Sequence, residues 1–86
     1  MIGPTEFEQV VEAEHLRKYL HMGAPDGTTS NKVCVFQDGT RWVTVTTDER
    51  AAVIEKTLRT FEDKSDALED AIEALRFERD LVEYRA

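Results

Sequence analysis

Residues 48–85 read DERAAVIEKTLRTFEDKSDALEDAIEALRFERDLVEYR, and the interpretation of this stretch decides the fold. It holds neither glycine nor proline, the two residues that most readily interrupt a helix. Ala51, Ile54, Leu58, Phe61, Ser65, Leu68, Ile72, Leu75, Arg79 and Val82 follow one another at spacings of three and four. That is a heptad seam, with Ala51, Leu58, Ser65, Ile72 and Arg79 at a-type positions and Ile54, Phe61, Leu68, Leu75 and Val82 at d-type positions. Thr47 or Asp48 offers an N-cap, and Asp48 and Glu49 suit the dipole of a first helical turn. The spacing predicts one helix over 48–85, roughly 55 Å long at the usual rise per residue. Ser65 or Asp63 offers a second cap, so a helical hairpin folding back there is the competing arrangement.

Upstream, residues 32–47 predict a β-hairpin. Val33 to Gln37 and Thr40 to Thr46 are rich in β-branched and aromatic residues, and Asp38-Gly39 stands between them. An Asp-Gly pair supplies the positive φ values of a two-residue turn. With that turn, Val35 faces Trp42 and Val33 faces Thr44. One side of the ribbon then carries Val33, Val35 and Trp42, and the other Cys34, Phe36, Val43 and Val45. A two-stranded ribbon alone is unstable in water, so it needs packing or further strands.

Residues 22–31, with Pro25, Asp26, Gly27, Thr28, Thr29 and Ser30, read as a loop. Thr5 and Glu8 have the form of a capping box, so a first helix is expected over about 5–21, with Gly23 past its end. On that helix Phe7, Val10 and Val11 fall on one side, and Leu16 and Leu20 nearly opposite. The expected fold class is α+β, one domain of helix, two-stranded antiparallel β-hairpin and long C-terminal amphipathic, coiled-coil-like helix.

A first helix of roughly 25 Å cannot cover a seam twice as long. The remainder, Leu68, Ile72, Leu75, Arg79 and Val82, is therefore expected to pair with a second chain in a homodimer. Arg79, Glu78 and Glu83 would meet their own copies in a parallel pair, which favours an antiparallel one.

The chain has 86 residues and a formal charge of −7. Domains this small are marginally stable alone. Cys34 is the single cysteine, so no internal disulfide stabilises the chain. The 11 Lys and Arg are scattered, with no basic cluster of the kind that tracks a phosphate backbone, and direct nucleic-acid binding is not expected. No cationic segment followed by an apolar run opens the sequence, and no apolar stretch is long enough to span a bilayer. A soluble cytoplasmic protein without a membrane partner is expected.

Chemistry has no visible carrier. His15 and His21 lie six apart, off the spacing of paired metal ligands on one helical face, and Glu12 with His15 makes only two ligands. Cys34 lies inside a strand with no neighbouring histidine and reads as structural. Trp42 beside Arg41 fits either a core or a recognition edge. There is no phosphate-binding glycine loop, no nucleophile with base at a supporting spacing, and no cysteine zinc site. No catalytic residue, cofactor or metal is expected.

Two surface features remain. Glu62, Asp63, Asp66, Glu69, Asp70 and Glu73 crowd one stretch against Lys64 alone. Phe77, Leu81 and Tyr84, with Ala74, form an apolar line off the heptad seam. Both sets are candidate partner-binding residues. The expected function is a non-enzymatic, acidic, regulatory protein that oligomerises through its C-terminal helix and binds another protein. The alternative is a nucleic-acid mimic or immunity-type inhibitor whose acidic strip blocks a basic site. A carboxylate-metal enzyme ranks third.

Overall fold

The structure, a computed structural model, describes residues 2–85, and residue 85 by its backbone alone. Its elements are α1 (Pro4–Ala13), a single 3₁₀ turn (Arg17–Tyr19), β1 (Leu20–Met22), β2 (Val33–Asp38), β3 (Arg41–Thr47), β4 (Val53–Phe61) and α2 (Lys64–Arg85). The strands form one mixed sheet in the order β1-β2-β3-β4. β1 runs parallel to β2, and the other neighbours are antiparallel. The expected two-stranded hairpin with one long helix is therefore corrected to a four-stranded sheet with two helices.

The correction begins in α1. Gly3 stands at the N-cap without a side-chain bond, and Pro4 opens the helix, its fixed φ already helical. The helix stops at Ala13 rather than continuing to His21. His15 takes φ 57, Leu16 donates its N–H to Val11 O at 2.9 Å, and His15 donates to Glu12 O at 3.3 Å. This is a Schellman motif, with a histidine where glycine is usual. It turns the chain so that Leu16 and Leu20 enter the same core as Phe7 and Val11. The two opposed patches expected on one helix are thus two segments facing one core.

The hairpin forms with Asp38 opposite Arg41, leaving Gly39 (φ 65) and Thr40 as the turn. Val35 then faces Thr44, not Trp42. The slide is two residues, so each side chain keeps its expected face. Val33 and Val35 pack on the helices. Cys34 is fully buried on the other face, beneath the loop of residues 23–32. The Thr29 hydroxyl reaches its thiol. Thr47 pins this loop: it donates to Thr29 O and accepts from Lys32 N at 3.0 Å.

The largest departure lies at 48–61. Asp48 accepts N–H bonds from Arg50 (2.8 Å) and Ala52 (3.0 Å) through its side chain. This is cap chemistry used to close a turn instead of starting a helix. Ala51 adopts φ 63 there. Asp48 N–H donates to Ala52 O at 2.9 Å, and the chain returns as β4. α2 starts at Lys64 and a strand precedes it, so neither one helix over 48–85 nor a helical hairpin folding back near 63–66 forms. Ser65 fixes this start by accepting from Ile2 N (3.0 Å) and donating to Ile2 O (2.7 Å).

α2 lies across the sheet. Its Ala67, Leu68, Ala71, Ile72 and Leu75 are buried. Ala67 and Ala71, small and fully covered, let the helix approach closely. Burying each of the larger side chains contributes roughly 1.5–3 kcal/mol. Arg76 grips Glu14 with two bonds, at 2.8 and 2.5 Å, and Arg79 reaches the same carboxylate at 3.3 Å. These bonds tie the end of α1 to the middle of α2. Together they hold the Glu14 carboxyl below its ordinary pKa, with the Arg76 hydrogen bond the largest cause.

Candidate functional site

The residues expected to join two chains face inward. Leu68, Ile72 and Leu75 are 1%, 6% and 0% exposed, in contact with α1 and the sheet. Val82 is half-buried against the same core. Arg79 is partly covered and bonds Asp80 and Glu14. The seam in α2 is thus covered within one chain.

The expected partner-binding residues separate into two groups. Asp70 turns to the sheet, where it accepts from the Thr44 hydroxyl at 2.7 Å and from Arg59 at 3.0 Å. Thr44 is 1% exposed, so this network links β3, β4 and α2 beneath the helix. Glu62, Asp63, Asp66, Glu69 and Glu73 face solvent. Phe77 is 69% and Tyr84 91% exposed, with Leu81 half-covered beside them.

At 3.6 residues per turn, Asp66, Glu73, Phe77, Asp80 and Tyr84 fall on one line along the outside of α2. Phe77 and Tyr84 are two turns apart, about 10 Å. The helix is therefore two-sided: a dry face on the sheet, and an outer line alternating carboxylates with aromatic rings. Glu78 is buried and belongs to neither group.

Between α1 and α2 lies an open cleft of about 390 Å³ with an Ile2, Val10 and Ile72 floor and a rim of Glu6, Glu69, Glu73 and Arg76. Among the described residues no cluster of His, Cys, Asp and Glu could hold a metal ion. Glu12 pairs with Arg17, not with His15. Burial raises the Cys34 thiol pKa, which disfavours the thiolate a nucleophile requires. Trp42 is half-buried at the core's edge, opposite Phe61 and beneath the Lys64 ammonium, 5.1 Å from its ring. Among the described residues, Tyr19 holds a buried hydroxyl with no hydrogen-bond partner. No described helix is long and apolar enough to cross a membrane.

Sequence reasoning missed two features. The Glu14–Arg76–Arg79 cluster joins residues about sixty positions apart, with no local signal. The outer edge of β4 was hidden because those residues were assigned to a helix. No protein-family model, curated protein or solved structure matches the chain.

Proposed function

We propose that this chain is a non-enzymatic interaction protein that docks on another protein through the outer line of α2. One observation carries the reading: Phe77 and Tyr84 stand largely in water on a helix whose opposite face is core. Two exposed rings two turns apart, with Leu81 between them, fit the helix-in-groove mode of recognition, in which spaced apolar anchors enter a partner's groove. Aromatic side chains are over-represented among residues that dominate binding energy. Asp66, Glu73 and Asp80 on the same line favour a groove with a basic rim.

A second reading rests on those carboxylates alone: an inhibitor whose acidic line occupies a site built for a phosphate backbone. Salt separates the two. Raising ionic strength abolishes binding carried by the acids and leaves binding carried by the rings largely intact.

The test places a photo-crosslinking side chain at position 77 or 84 in cells that produce the protein, with position 28 on the opposite loop as control. A discrete adduct from 77 and 84, absent from 28, is the expected result. Identical patterns from all three positions refute docking through α2.

A further inference from the structure

We propose that β4 is the edge through which two copies of this chain pair, antiparallel and centred on Thr57, joining two four-stranded sheets into one of eight. The surface is independent of the outer line of α2. β4 lies at the end of the strand order and has nine residues, whereas β1, at the other end, has three. Between Arg59, opposite Thr44, and Ile54, opposite Thr46, the pairing skips. Glu55, Lys56, Thr57 and Leu58 have no paired residue on β3. The Thr57 hydroxyl spans the skip, accepting from Thr46 N at 2.9 Å and donating to Ile54 O at 2.6 Å. No strand of this chain lies beyond β4 in the sheet, so its outer edge has no strand neighbour, and along it Glu55 and Lys56 are exposed and Leu58 is 49% exposed.

Bulges and charges are how edge strands usually discourage pairing. Here the charge order selects among pairings. A parallel pair in register sets Glu55 on Glu55 and Lys56 on Lys56. Antiparallel pairing centred on Lys56 sets lysine against lysine. The register that overlaps all nine residues is centred on Thr57. It sets Glu55 opposite Arg59 of the second copy, twice by symmetry, and Val53 opposite Phe61 twice. Opposite charges and β-branched–aromatic pairs are both favourable across strands. Glu55, Lys56 and Arg59 thus disfavour other pairings and favour one with a second copy of the same strand, as a two-fold interface requires.

The test measures solution mass against concentration for wild type, Glu55→Arg and Arg59→Glu, each checked for cooperative unfolding. Wild type is expected to dimerise. Each variant alone sets like charges opposite each other at two sites and raises the dissociation constant on the order of tenfold or more. Mixing the two variants restores the dimer, because arginine at 55 and 59 on one strand then meets glutamate at 59 and 55 on the other. A wild type that stays monomeric at all concentrations overturns the proposal. So does a mixture that fails to associate, or a dimer dissolved by Phe77→Lys and unmoved by Glu55→Arg. Should Arg59→Glu fail to fold beside Asp70, hydrogen exchange decides on wild type alone. Amides of residues 55–58 that slow with rising concentration support the pairing, and unchanged rates refute it.

Discussion

Residues 53–61 and 64–85 share one apolar spacing and take opposite structures. In the first segment Leu58 is 49% exposed and Val53 42%. In the second, Leu68 and Leu75 are 1% and 0% exposed. A heptad seam states which residues would share a face if the chain were helical; it does not make the chain helical. Residues 53–61 also hold four β-branched residues among the nine, and β3 beside them offers a strand to pair with. Residues 64–85 have Ala67, Ala71 and Ala74, strong helix formers, and a sheet to cover. Tertiary pairing decided the first segment; propensity and packing agreed in the second.

The sharpest way to break this contrast is to treat equivalent seam positions alike. Leu75→Ala should cost about 2–5 kcal/mol in urea unfolding, because it empties a fully enclosed site, while Leu58→Ala should cost less than about 1 kcal/mol. Equal losses would mean that both leucines share one seam. Next in size is Thr44→Val, which keeps the side-chain shape and removes the donor to Asp70. A loss of about 1–2 kcal/mol is expected, and a neutral result would show that the sheet-to-helix network contributes little.

Ala51→Gly gives a smaller effect whose sign is diagnostic. At φ 63 an alanine is strained, and glycine should raise stability by about 0.5–1 kcal/mol. In a helix the same change would cost about 1 kcal/mol, so thermal unfolding of this variant tests the turn before β4 directly. The smallest effect concerns acid. The folded-state pKa of Glu14 is lowered by Arg76 and Arg79, so its contribution is present above the ordinary glutamate range and is lost as pH falls through the folded value. Glu14→Gln should therefore lower stability at neutral pH and flatten its decline below about pH 4. An unaltered pH profile would show that the cluster does not couple α1 to α2.

What the sequence revealed follows local chemistry. The β2–β3 hairpin and its faces were legible from β-branched runs and a turn glycine, whereas the Thr5–Glu8 capping box does not form: Gly3 is the N-cap and Pro4 opens α1. The end of α1 was not, because His15 occupies a left-handed position where glycine would have announced the stop. β4 was not, because Asp48 has the same hydrogen-bonding capacity in an N-cap as in a turn. For the candidate site, the spacing sets Phe77 and Tyr84 off the seam, and the structure leaves both largely exposed. Asp70 was grouped with its acidic neighbours because nothing local distinguishes it; its partners Thr44 and Arg59 lie on β3 and β4.

The two hydrogen bonds between Ile2 and Ser65 and the grip of Arg76 on Glu14 have a consequence for synthesis. A ribosome adds roughly 5–20 residues per second. β2, β3 and β4 can assemble from neighbouring segments as they emerge. The apolar faces of Phe7, Val11, Val33 and Val35 have no cover until Leu68–Leu75 leaves the exit tunnel. For that interval of seconds the nascent chain carries an open greasy sheet, and chaperone protection is most needed then.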